Sequence, residues 1–300
     1  MGAMQHSDET YADRLLGFTI PSRHARGRIV RLDTVLADVL STHRYPPAIA
    51  RLLAEALVVG TLVGGLVDDD EGQMTMQAQT KDGIVKLLVF DYREGAVRGY
   101  VDFDRSRLDD IGVQPDLPAL FGEGYLAVTF DMNDERGRYQ GIVPLEGDSL
   151  SQACESYFAQ SEQVPTLIRA AIDLDGATPV AAGLLVQHLP DGEVGRERLH
   201  ARLDHPEWEH VAVLAGSLKD AELLQQDLSM EAIAWRLFHD EEEVRTHTGA
   251  ALRRGCRCSV EHYAKVLSGF PEADRAEMRD EQGLIKVDCA FCSREFEIAL

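Results

Sequence analysis

Apolar residues at Val35, Leu36, Val39 and Leu40 fall at helical spacing, which predicts a short helix over 33–40. Tyr45-Pro46-Pro47 then breaks the chain. A longer helix is expected from about Ala48 to Val67, apolar on almost every side through Leu52, Leu53, Ala56, Leu57, Val58, Val59, Leu62, Val63 and Leu66. Such a helix is either buried on several sides or lies in a membrane. Arg51 and Glu55 within it, and Gly60, Gly64 and Gly65 suited to close packing, favour burial. After the acidic turn Asp68-Asp69-Asp70-Glu71-Gly72 the period becomes two, with Met74, Met76 and Ala78 alternating with Gln and Thr. Strands are expected at 84–90, 96–101, 125–130 and 140–143.

Ser149, with Gln152 three residues on, has the form of a capping box. The helix behind it places Leu150, Ala153, Cys154, Tyr157 and Phe158 on one stripe, so Cys154 reads as a packed core thiol rather than a nucleophile. Residues 167–174 and 180–189 form an expected hairpin about Asp175-Gly176. Beyond Pro190 the composition changes. Ser229 caps a helix bearing Met230, Ile233, Ala234, Leu237 and Phe238, with Trp235 beside that stripe. The helix runs into Asp240-Glu241-Glu242-Glu243, where the macrodipole disfavours negative charge. Either the segment docks against something, or the run is a solvated face. This order of elements implies an α+β fold: a sheet-and-helix core domain over 1–190, a mainly helical linker over 191–250 and a small module over 251–300.

The net charge of −21 changes the picture of partners. Residues 251–300 hold eight Lys/Arg and nine Asp/Glu, so 1–250 carry −20. An acidic body argues against broad nucleic-acid or anionic-membrane binding. Met1-Gly2-Ala3 ahead of Met4 is read as an expression scar and set aside, and no secretory signal is visible.

The candidate chemistry lies in the last fifty residues: Cys256-Arg257-Cys258 and, thirty residues on, Cys289-Ala290-Phe291-Cys292. Two tight pairs in a chain without an export signal fit a closed four-thiolate cage for one zinc ion, a structural rather than catalytic site. Ser259 is expected to cap a helix with Val260, Tyr263, Ala264 and Leu267 inward, ended by Gly269 and Pro271. Residues 284–287 and 295–298 are expected to flank the second pair as a hairpin. His262 is assigned to the surface or to a place just behind the ligands, since four cysteines suffice. Arg253, Arg254, Arg257, Lys265, Lys286 and Arg294 are near in sequence and would keep sulfur ionised and open to oxidants. Spacing leaves open whether the cage is a staple or a redox trigger.

Other chemistry is missing. There is no GxxxxGK[ST], HExxH or GxSxG, the histidines do not cluster, and Gly122-x-Gly124-x-x-Ala127 runs into a strand rather than a phosphate-binding helix. No catalytic residue is assigned, and the chain is read as a non-enzyme.

With these segments placed, the chain resembles the 33 kDa chaperonin family, redox-regulated heat-shock holdases of the bacterial cytosol. The cysteine segments 256–261 and 289–292 look like the family's zinc signature. Residues 124–129, 139–147, 157–166 and 182–187 are similar to its core segments, and 235–239 to its linker. The acidic run at 240–243, residues 191–210 and Phe296, where the family often has tyrosine, depart from it. The resemblance implies a reduced form with one zinc per chain on Cys256, Cys258, Cys289 and Cys292. Oxidation would form disulfides Cys256–Cys258 and Cys289–Cys292, unfold the module and loosen the linker. An ATP-independent cytoplasmic holdase, dimeric when active, would then bind unfolding client proteins on a surface the sequence does not identify. Two other readings are a zinc-ribbon nucleic-acid-binding protein and a C-x-x-C thiol oxidoreductase.

Overall fold

The computed structural model describes residues 11–67, 72–108, 112, 115–132, 137–189 and 205–300, so the acidic turn at 68–71 and most of the atypical stretch at 191–210 lie outside it. The first half of the chain forms β1 (Arg14–Ile20), β2 (Ala25–Leu32), α1 (Thr34–Leu40), α2 (Pro47–Gly64), β3 (Gln73–Thr80), β4 (Val85–Arg93), β5 (Ala96–Phe103), α3 (Leu117–Phe121), β6 (Gly124–Asp131) and β7 (Arg138–Pro144). There follow α4 (Leu150–Tyr157), β8 (Thr166–Asp173), β9 (Val180–His188), α5 (Pro206–Gly216), α6 (Asp220–Leu224) and α7 (Met230–Phe238). The last part holds β10 (Arg245–Ala251), β11 (Arg253–Arg254), α8 (Val260–Leu267), α9 (Glu272–Met278), β12 (Leu284–Asp288) and β13 (Glu295–Ala299). Strands order as β10-β1-β2-β9-β8 in one sheet, β11-β5-β4-β3-β6-β7 in a second, and β12-β13 as a hairpin. The fold is α+β.

The all-round apolarity of α2 follows from its position between the two large sheets. It touches β2, β8 and β9 on one side and β3, β4 and β5 on the other. Close approach is possible because Gly60 and Gly64 face Phe90 and Tyr92, where a Cβ would come within 2.2 and 2.5 Å of the rings. α2 is long and apolar enough to cross a membrane, yet 72% of it is buried, and its apolar surface is taken up by the sheets. It stops at Gly64, short of the expected Val67. The period-two pattern of β3 behaves as expected, with Met74, Met76 and Ala78 fully buried toward α2.

Strands β1 and β2 and the short α3 are absent from the sequence-based expectation. The sheet holding β1 and β2 is covered on both faces, which erases the alternation that marks a half-exposed strand. Leu15, Val30, Leu32 and Leu185 pack toward α2, whereas Leu16, Phe18, Ile29, Leu184 and Val186 pack toward α5–α7. Arginines add to the disguise. Arg31 is 1% exposed and donates to the carbonyls of Leu223 and Leu228 at 3.0 and 2.7 Å. It thereby satisfies acceptors at and beyond the C-terminal end of α6, which the helix itself leaves unpaired.

Ser149 caps α4 as expected, but the reciprocal half of the box differs: the Gln152 carboxamide accepts from the Asp148 amide at 2.7 Å rather than from Ser149. Cys154 is fully buried with its thiol 3.7 Å from the Met76 sulfur, and burial followed by the nearby Glu55 pushes its pKa far up. The stripe Met230, Ile233, Ala234, Leu237 and Phe238 is buried on the five-stranded sheet. Trp235 stays 67% exposed, stacked on His239. The acidic run is docked in part: Glu241 takes Arg23 Nε at 2.8 Å and His210 Nε2 at 2.7 Å. Residues 245–251 are a strand, which pairs antiparallel with β1.

Candidate metal centre

The chain reaches the cysteines by crossing between sheets. β10 ends on the edge of the five-stranded sheet, Leu252 is buried, and the Leu252 amide donates to the Asp13 carbonyl at 2.8 Å. β11 then joins the six-stranded sheet parallel to β5, with the amides of Arg253 and Gly255 donating to the carbonyls of Gly95 and Val97, each at 2.9 Å. Gly255 is needed at this crossing: a Cβ there would stand 2.5 Å from that of Ala96. Cys256 follows immediately.

The first pair occupies the extended turn before α8, whose Ser259 cap accepts from the His262 amide at 3.1 Å. The second pair occupies the β12–β13 connection. There the Cys289 carbonyl accepts from the amides of Cys292 and Ser293 at 3.2 and 2.8 Å, and Ser293 takes a positive φ of 52°. The strands and the α8 cap lie where the residue pattern places them. One expected inward residue does not: Val260 is 47% exposed, because the hydrophobic face of this short helix is narrow and turns Tyr263, Ala264 and Leu267 to the hairpin instead.

All four sulfurs come together, mutually within 4.8 Å. Cys256 lies 3.2 Å from Cys258 and 3.5 Å from Cys289, and Cys258 lies 3.4 Å from Cys292. A tetrahedral cage with metal–sulfur bonds of about 2.3 Å has edges of about 3.8 Å, so four thiolates in this arrangement fit one such ion. The sulfurs are unlinked by disulfides. His262 is not part of the cluster; its ring packs edge-on against Tyr263 at 5.5 Å.

The electrostatics differ from the sequence-based expectation. Burial works against ionisation of Cys289, but the Tyr263 hydroxyl and the amides of Phe291 and Cys292 outweigh it and bring the thiol down to about 6. Burial and the neighbouring thiols drive Cys258 up. Of the six cations near in sequence, Arg257 has the Cys256 sulfur among its charged neighbours, whereas Lys286 is engaged with Asp280 and Glu297, each at 3.8 Å. Tyr263 and the hairpin amides, not a ring of lysines and arginines, favour the Cys289 thiolate. Sequence offered no signal for this, because Tyr263 lies 26 residues from Cys289 and reads as an ordinary core aromatic.

The module's own core is thin. Leu267, Ile285, Cys289, Phe296 and Ile298 are its buried residues, and one of them is a candidate ligand. Phe296 packs its ring 5.1 Å from Tyr263. So small a cluster gives little stability by itself, and an ion held by the four sulfurs would add a cross-link that the core lacks.

The Hsp33 protein family model matches residues 13–299. The 33 kDa chaperonin of Caulobacter vibrioides is 36% identical over 294 residues, covering 95% of this chain and 94% of its own length. That of Azotobacter vinelandii is 38% identical over 283 residues, covering 93% and 89%. Among solved structures, the 33 kDa chaperonin (heat shock protein 33 homologue) of Thermotoga maritima is similar in fold, with a TM-score of 0.76 at 22% identity over 96% of this chain and 95% of that one. Matched over nearly its whole length and carrying four clustered C-terminal cysteines, the chain belongs to the Hsp33 family of 33 kDa chaperonins.

Proposed function

We propose that this chain is a redox-regulated, ATP-independent holdase of the cytoplasm whose switch is the four-cysteine cluster. The observation that carries this reading is the convergence of Cys256, Cys258, Cys289 and Cys292 over a core of five buried residues, in a chain of the chaperonin family. A zinc ion bound there supplies a cross-link on the order of 10–16 kcal/mol apparent for small zinc modules. In this reading residues 1–190 are the core domain, 191–250 the linker and 251–300 the switch.

Cys256 pairs with Cys258, and Cys289 with Cys292, on oxidation. In each pair two thiolates lose two electrons to hydrogen peroxide; the S–S bond forms, the O–O bond breaks, and two protons complete two waters. The Cys256–Cys258 sulfurs, 3.2 Å apart, close by about 1 Å to reach the disulfide length. Each disulfide withdraws two ligands, and the thin module core has nothing to replace them. Support for a second step comes from the packing of α5–α7, whose Trp208, Val211, Ile233 and Phe238 cover Phe18, Ile29, Leu184 and Val186 of the five-stranded sheet. Loosening these helices uncovers apolar surface on both partners, which suits unfolding client proteins, with a homodimer as the active form.

The test is metal content and activity measured together. The reduced chain is expected to carry about one zinc and to leave client aggregation unchanged; after peroxide, zinc is lost and aggregation slows. A zinc-free, disulfide-bonded sample that fails to slow aggregation overturns the reading.

A further inference from the structure

Each cysteine pair encloses one side chain that leaves the module and lands on the body. In an extended C-x-C segment alternate side chains point to opposite sides, so turning both sulfurs into the cluster aims Arg257 away from it. Its Nη2 donates to Asp91 Oδ2 on β4 at 3.2 Å. In the second pair Phe291 projects against β5. Its ring centre lies 4.0 Å from the Arg98 guanidinium carbon and 5.1 Å, edge-on, from the Tyr100 ring.

The two contacts meet. Arg98, cross-strand partner of Asp91, gives Nε and Nη2 to the same carboxylate oxygen at 2.8 and 2.5 Å. Asp91 is 5% exposed, and its other oxygen accepts from the Thr75 hydroxyl at 2.6 Å. Two guanidiniums, one from each side of the joint, thus share one buried carboxylate, and the one from the body is covered by the aromatic ring of the second pair. Charge-assisted bonds of this kind are geometrically demanding, and a guanidinium stacked on a ring adds to them.

We infer that Asp91 and Arg98 of the body, with Arg257 and Phe291 of the module, form the docking joint that transmits the state of the cysteine cluster to the sheet edge. Both module residues are positioning residues: Arg257 is aimed by the cysteines on either side of it, and Phe291 by the turn that Cys289 and Cys292 close, so collapse of either pair misdirects its contact. Once both contacts are gone, what ties β11, a two-residue strand, to the sheet is the pair of amide bonds from Arg253 and Gly255 and the Arg253 Nη1 donation to the Glu94 carbonyl at 2.8 Å. β10 directly precedes β11 and is the edge strand on β1, so loosening at β11 reaches the end of the linker.

The inference deepens the reading of the cluster as a switch, and its test uses only the reduced, zinc-loaded full chain, so it stands or falls apart from oxidation and chaperone activity. Arg257→Gln and Phe291→Ala are compared with the parent by zinc content and by amide exchange. At unchanged zinc content, exchange at the amides of 253 and 255 is expected to quicken roughly tenfold, while the hairpin amides of 284–299 stay protected. Arg257→Lys, which keeps the charge, is expected to recover part of the protection. Unchanged exchange at 253 and 255 in both variants overturns the inference. So does faster exchange that appears only together with zinc loss, which would make these residues supports of the cage rather than of the joint.

Discussion

Asp13 sits where β1 begins, at a positive φ of 53°, a conformation that aspartate and asparagine tolerate better than most residues. Its carboxylate accepts from the amides of Asp33 and Val35, each at 3.2 Å. Burial, and then the proximity of Asp33, raise its pKa from 3.8 to about 6. The folded chain therefore holds this proton more tightly than the unfolded one, so its contribution to stability is present at low pH and lost as pH rises from about 4 to about 6. Asp13→Asn is expected to flatten that part of the stability profile relative to the parent, read as urea midpoints between pH 4 and pH 7. Gly60 makes a second prediction. A methyl there meets the Phe90 ring at 2.2 Å, so Gly60→Ala should cost about 1–3 kcal/mol by overpacking, measured by denaturant unfolding. What was legible at this scale was spacing: the four cysteines and the Cys154 stripe announce themselves within a few residues. Asp91 does not, because its partner Arg257 lies 166 positions away.

Helices α5 and α7 are held by apolar burial and by one cation. Arg23, in the turn between β1 and β2, takes Glu207 of α5 at 2.6 Å and Glu241, just past α7, at 2.8 Å; His210 reaches the same Glu241. The helix whose acidic end looked unfavourable in isolation is thus anchored at that end. Arg23→Ala is expected to speed amide exchange through α5 and the last turn of α7 several-fold while leaving α2 unchanged, since the two core clusters are separate. Within α2, Leu57 is fully buried between the sheets, and Leu57→Ala should cost about 2–5 kcal/mol in urea unfolding. Elements with one solvated face, such as β3, were readable from alternation. β1 and β2 were not, because both faces are covered and the buried Arg28 and Arg31 of β2 are spent on backbone carbonyls.

Across the whole molecule, residues 256–300 contribute nothing to the two large core clusters and keep a small one of their own. Chelation of a bound metal is therefore expected to strip amide protection from α8, β12 and β13 while α2 and β9 remain protected; retained protection in the hairpin after chelation would contradict the dependence on a cross-link. The sequence by itself determined the cysteine spacing, the capped helix and hairpin that carry it, and the buried central helix, since each is encoded by residues close along the chain. Tertiary structure alone decided that β10 and β11 end on different sheets, that Tyr263 and hairpin amides favour one thiolate, and that Asp91 meets Arg257. Those arrangements pair groups tens to hundreds of residues apart, and no local pattern of polar and apolar positions records which distant partner a side chain will face.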